Sequence, residues 1–156
     1  LDVFTGGAGT DIFTFGPNVD TTATDMITIT DAVGGLGGDI FKFDISAVGG
    51  SVAAAATLSV VNVAASATNS FIVDTVLGGY ANVALFEAAI ETATATTLDW
   101  IGMYYDTTDD TVYIVADSSS AIVGSTIVLA SLTNLTTAAL ADTFLDSIST
   151  SNLSIF

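Results

Sequence analysis

The chain has 156 residues, 51% of them hydrophobic, and sets 17 Asp and Glu against one Lys (Lys42), no Arg and no His, for a formal net charge of −16. Phosphate backbones are bound by Lys and Arg that release counterions, so this balance excludes nucleic acid, and an anionic bilayer repels the chain for the same reason. Cations are what it attracts. Cysteine is absent, which removes disulfide staples and leaves bound metal as the remaining cross-link for a fold outside the cell. Without His or Cys, catalytic triads, thiol nucleophiles and His-ligated zinc are unavailable, and the chain reads as non-catalytic. Thr, Ser, Asn, Asp or Gly interrupts every apolar stretch before it reaches membrane-spanning length, and no secretory signal pattern opens the sequence.

In chain order, residues 1–44 are punctuated by Gly and Asp and hold short alternating runs. Asp11–Phe15, Asp25–Ile29 and Asp39–Phe43 carry the period-two pattern of half-buried strands. Residues 45–57 form an Ala/Gly/Ser-rich connector. Leu58–Val63, Phe71–Val76, Trp100–Tyr105, Thr111–Ala116 and Thr126–Ala130 are the next strand candidates. One amphipathic helix near 82–94 interrupts them, with Asn82 as N-cap and Val83, Phe86, Ala89 and Ile90 on one face. Gly78-Gly79 and Ser118–Ser120 read as turns, and Asp106–Asp110 as a hairpin loop. A short helix near Thr136–Phe144 precedes an apolar-ended tail, Asn152–Phe156.

The chemistry lies in the glycines of the first zone. Gly6-Gly7-Ala8-Gly9-Thr10-Asp11-Ile12-Phe13-Thr14 matches the nonapeptide G-G-x-G-x-D-x-U-x, U being a large apolar residue, at every fixed position. Gly34-Gly35-Leu36-Gly37-Gly38-Asp39-Ile40-Phe41-Lys42 matches it again. Leu1–Thr5 supplies the second half of an earlier copy, with Asp2 nine residues before Asp11, and Gly16 and Asp20 mark a degraded later one. Glycine permits the φ > 0 backbone that turns carbonyl oxygens toward one point. An Asp carboxylate completes an all-oxygen shell suited to calcium. The candidate ligands are therefore Asp2, Gly6, Gly7, Gly9, Asp11, Gly16, Asp20, Gly34, Gly35, Gly37 and Asp39, with Ca2+ as the ion. Successive turns alternate sides, so Asp2 and the Gly16–Asp20 turn share one edge and Asp11 lies on the other. Gly34–Asp39 has no evident partner turn at this spacing.

Other candidates have plainer readings. Asp106, Asp109 and Asp110 lack the EF-hand pattern and read as a solvated hairpin tip. Trp100, Tyr104, Tyr105 and Tyr113 alternate on strands and read as packing residues rather than a sugar platform. Asn134-Leu135-Thr136 fits the glycosylation acceptor pattern.

Residues 1–46 resemble the end of a repeats-in-toxin β-roll, the calcium-binding module of proteins exported by type I secretion. Asp25–Thr28 followed by Asp39–Ser46 resembles that family's capping segment. Gly102–Asp106, Val112–Asp117 and Val128–Thr136 resemble its C-terminal strands, with Asn134 at a position where the family carries Gly. The resemblance implies a β-dominated fold: a short calcium-binding parallel β-roll over 1–46, then an antiparallel β region with one helix over 47–156. It also implies a secreted, cell-surface location, the type I secretion machinery as a partner, and self-association or other surface-protein subunits. The expected function is a structural module of a surface-layer, filament or adhesin protein. The secretion domain of an exoenzyme and a carbohydrate-binding module are the alternatives.

Overall fold

The computed structural model describes residues 2–16, 26–44, 71–75, 78–93, 100–117 and 126–156. Asp20, the connector at 45–57, the strand candidate Leu58–Val63 and the turn at Ser118–Ser120 lie outside them. The described part is β-dominated. Strands β1 (Val3–Phe4), β2 (Ile12–Phe15), β3 (Ile27–Ile29), β4 (Ile40–Phe43) and β5 (Phe71–Val73) lead to helix α1 (Val83–Ala93). Strands β6 (Trp100–Asp106), β7 (Thr111–Asp117) and β8 (Thr126–Leu132) follow, then helix α2 (Ala138–Ser147) and strand β9 (Leu153–Ile155).

Two sheets result. One has six strands in the order β1-β3-β8-β7-β6-β5, and the other three in the order β2-β4-β9. Successive strands of the first zone therefore alternate between sheets, and two coils stack in parallel. β1 pairs with β3 (Val3 with Thr28), and β2 pairs with β4 (Ile12 with Ile40). Side chains alternate faces along a strand. Phe13 and Phe15 thus point inward and stack on Phe41 and Phe43, with ring centroids 5.8 and 4.9 Å apart. β9 extends the same rows, setting Leu153 beside Phe41 and Ile155 beside Phe43.

The coils do not stand apart from the rest of the chain. β8 pairs in parallel with β3, and β9 with β4, so the C-terminal strands share both sheets with the coils. The expectation of a purely antiparallel second region is corrected here. β6, β7 and β8 form an antiparallel meander, but β5 joins β6 in parallel. A short apolar run such as Phe71-Ile72-Val73 carries no signal of strand direction, since a strand buried on both faces shows no alternation. The helix expected near 82–94 forms as α1, and the short helix expected near Thr136–Phe144 forms as α2, which reaches Ser147 and is nearly as long.

The large sheet separates two apolar clusters. On one face Phe13, Phe41, Phe43, Met103, Ile114 and Leu132 pack with Phe144 and Leu145 of α2. On the other, Phe86 and Ile90 of α1 pack on Ile72, Trp100, Tyr104 and Val115. Asn82 caps α1 as expected, accepting a hydrogen bond from the Leu85 N–H at 3.0 Å. Thr137 does the same for α2, accepting from the Leu140 N–H. Gly102 lets α1 approach the sheet, because a Cβ there would lie 2.9 Å from the Phe86 ring.

Phe43 is 1% exposed, in the middle of the aromatic rows between the Phe15 and Phe71 rings. Phe43→Ala should cost about 3–5 kcal/mol, read as a lower denaturant midpoint at unchanged slope. A loss below about 1 kcal/mol would show that the rows do not form the core of the coils.

Candidate metal site

The two perfect nonapeptides, separated in sequence, meet in space. The turn from Gly6 to Asp11 joins β1 to β2, the turn from Asp31 to Asp39 joins β3 to β4, and the two stack along one edge of the coils. Their offset is 25 residues on one side and 28 on the other, longer than the two nonapeptides expected per coil. The unmatched Gly34–Asp39 turn therefore finds its partner in Gly6–Asp11. Gly7, Gly9, Gly35 and Gly37 all adopt positive φ, between 80 and 123°, as the glycine pattern requires.

Backbone N–H groups fill most of the carboxylates in this stack. The Asp31 Oδ1 and Oδ2 accept from the N–H groups of Gly6 (3.0 Å) and Gly7 (2.7 Å). Asp39 Oδ1 accepts from the Asp11 N–H at 3.1 Å, and its Oδ2 from the Val33 N–H at 2.8 Å. The Thr10 hydroxyl donates to the Gly37 carbonyl at 2.7 Å. Asp11 differs. Its Oδ2 is buried and has no hydrogen-bond partner among the described residues. It presses so closely on Gly6 that a Cβ there would fall 2.6 Å away. A buried carboxylate oxygen without a donor is costly and calls for a cation or a donor group.

The third layer of this edge comes from the C-terminal strands. Asn134 occupies the register position of Gly6 and Asp31. It accepts from the Ala32 N–H at 3.1 Å and donates to the Ala32 carbonyl at 2.9 Å. Asn152, 1% exposed, donates to the carbonyls of Gly35 (2.8 Å) and Asp39 (3.0 Å). A Cβ on Gly34 would run into Ser147 and Phe144 of α2, so that glycine serves the packing of the helix. Asp31 and Asn152 were not among the sequence candidates. Neither belongs to the nonapeptide, and their role depends on a register that the pattern does not encode.

The other candidates sit elsewhere. Asp2 is exposed and, with Gly16, lies at the opposite edge, where the Thr28 N–H donates to the Asp2 carbonyl at 2.8 Å. Asp106 corrects the reading of a solvated loop, being 4% exposed. Its Oδ1 accepts from the N–H groups of Thr108 and Asp109, and its Oδ2 from the Tyr104 hydroxyl at 3.1 Å. Tyr113 donates to Asp109 and Tyr105 to Asp110. The hairpin end is thus a Tyr–Asp network of satisfied acceptors. Trp100, Tyr104 and Tyr105 are buried and offer no flat exposed surface. Among the described residues no three Asp or Glu converge on one point, so any metal in the stacked turns would rest on Asp11 and turn carbonyls rather than on a carboxylate cage.

Compared with known proteins, the chain matches no family model, no curated protein and no solved structure.

Two outcomes test this geometry. Asn152→Ala removes donors from two carbonyls in a buried setting and should cost about 2–4 kcal/mol, seen as a lower thermal midpoint. Tyr113 has its pKa pushed up to about 12 from 10.0 by burial, then by its hydrogen bond to Asp109 and the charges of Asp109 and Asp106. The folded state holds this proton more tightly, so the stabilisation is full below pH 10 and is lost as pH rises toward 12. Ultraviolet titration should show phenols that ionise late, and Asp109→Ala should bring one of them back toward its ordinary range by removing the acceptor and the charge beside Tyr113. An unchanged titration in that variant would disprove the assignment.

Proposed function

We propose that the chain is a non-catalytic, calcium-stabilised structural module of a secreted bacterial surface protein, of the surface-layer, filament or adhesin kind. The observation that carries this reading is the buried, unpartnered Asp11 oxygen within a glycine turn that matches the calcium nonapeptide. The donor set suits calcium, a hard cation that takes carboxylate and carbonyl oxygens in flexible geometry. Asp11 would supply the carboxylate, and Gly7 and Gly9, at positive φ with open space where a Cβ would sit, the carbonyls. The ion would remove a desolvation penalty and part of the self-repulsion of a chain at −16.

In this reading the two sheets give a rigid β body whose surface is polar without being basic, fit for a load-bearing or spacing role. Export by type I secretion, through the family resemblance, accounts for a cysteine-free chain that depends on an external ion for its final stability. Among the described residues no helix is long and apolar enough to cross a membrane.

Thermal unfolding with calcium and with excess chelator tests the proposal. At about a hundredfold excess over Kd, an ion that binds only the native state adds about 2.7 kcal/mol, on the order of 5–10 °C for a chain of this size. Asp11→Ala should abolish that increment by deleting the carboxylate. Gly7→Val should weaken it by blocking the backbone conformation at φ 92°. Identical midpoints with calcium and chelator would remove the ion from the account.

A further inference from the structure

The Gly6–Asp11 turn is pinned at both ends by carboxylates of the coil that follows it. At its start, Asp31 accepts from the Gly6 and Gly7 N–H groups at 3.0 and 2.7 Å. At its end, Asp39 accepts from the Asp11 N–H at 3.1 Å. Successive N–H groups of a turn that bends through positive φ form a concavity that holds an anion, and Gly7 has φ 92°. The chain sets one Lys and no Arg against 17 acidic residues, so backbone donors take the part that basic side chains play elsewhere.

Asp31 reaches the buried Asp11 oxygen through Gly6. The Gly6 N–H is held by Asp31, and a Cβ on the same glycine would lie 2.6 Å from Asp11 Oδ2. The side chain that fixes Gly6 thereby fixes one wall of the space around that oxygen. Adjacent glycines lose more conformational freedom on ordering than any other pair of residues. A ligand that needs one shape of such a turn binds more weakly in proportion to the time spent in the others. A carboxylate already seated on both N–H groups removes that penalty by preorganisation.

The same device recurs one layer on. Asn134, at the register position of Asp31, accepts from the Ala32 N–H at 3.1 Å. Two successive layers are thus clasped at the same place by a side chain of the next layer. In the first case the side chain is a carboxylate that takes two donors, and in the second an amide that takes one.

We propose that Asp31 is the positioning residue of the calcium turn: seated on the Gly6 and Gly7 N–H groups, it holds the turn around Asp11 in its ion-binding shape before any ion arrives. Asp31 lies outside both nonapeptides, 25 residues from Gly6, and acts on the ion through the turn instead of touching it. The calcium half of this statement rests on the function proposed above, whereas the clasp stands on the hydrogen bonds alone.

Calorimetric calcium titration of the full chain, together with amide hydrogen exchange of the calcium-free protein, tests the proposal. In the parent with chelator the Gly6 and Gly7 amides should exchange slowly, and Asp31→Ala should release both. Calcium affinity should fall about 10- to 100-fold in Asp31→Ala, the range for groups that orient the ligands of a metal. Asp31→Asn removes the same charge but keeps one acceptor oxygen, as Asn134 does one layer on, and should recover part of that loss. Fast exchange of both amides in the calcium-free parent overturns the clasp, whether or not the variants fold. Parent affinity in Asp31→Ala overturns the positioning role. Equal losses in Asp31→Ala and Asp31→Asn overturn it too, by assigning the effect to charge alone. A parent that binds no calcium overturns the proposed function instead, and amide protection that depends on Asp31 then still upholds the clasp.

Discussion

The parallel pairing of β8 with β3 is the contact on which the rest of the structure depends. Two stacked coils of two- to four-residue strands bury too little on their own to offset the entropy of ordering their glycine turns. Joined to β8, β3 becomes an interior strand of a six-stranded sheet, with Ile29 lying between Phe4 and Leu132 in register. The same junction carries Asn134 to Ala32 and brings α2 onto Gly34. Local turns with little intrinsic stability thus inherit the rigidity of a long-range sheet.

That dependence explains what could be read from the sequence. The strands with strict alternation, Ile12–Phe15 and Ile40–Phe43, were legible because their inward phenylalanines have no other reason to recur at every second position. Helix α1 was legible from its cap at Asn82 and the Phe86–Ile90 face. The stacking partner of Gly34–Asp39 was not. The nonapeptide implies a fixed coil length of two repeats, whereas here the two turns lie 25 to 28 residues apart. Strand direction in β5 and β9 was equally hidden, because hydrogen bonding to β6 and β4 is decided by tertiary proximity and leaves no mark on three apolar residues. The metal candidates divide in the same way. A motif names which carboxylates are available, but only the register shows that backbone N–H groups fill Asp39 while one oxygen of Asp11 stays unpartnered.

The two amides of the last layer, Asn134 and Asn152, have their own physical sense. Asp31 and Asp39 face backbone N–H groups and need only accept. Asn134 faces both an N–H and a carbonyl of Ala32, and Asn152 faces the carbonyls of Gly35 and Asp39. A carboxylate in either place would meet carbonyl oxygens with nothing to donate. The amide supplies the donor that ends the column and keeps another negative charge away from Asp39.

The single cation has a consequence for resistance to proteolysis. Proteases of the trypsin type cut after Lys or Arg, and this chain offers them one peptide bond, between Lys42 and Phe43. That bond lies within β4, the middle strand of the small sheet, with β2 on one side and β9 on the other. The Lys42 ammonium sits 4.5 Å from the centre of the Phe156 ring, and Phe43 is buried beneath the strand. Cleavage would require the strand to leave its sheet and extend into the enzyme's cleft. Digestion by such enzymes would therefore report opening of the small sheet rather than surface accessibility, and the folded protein would persist in the presence of a whole class of digestive enzymes without any inhibitor.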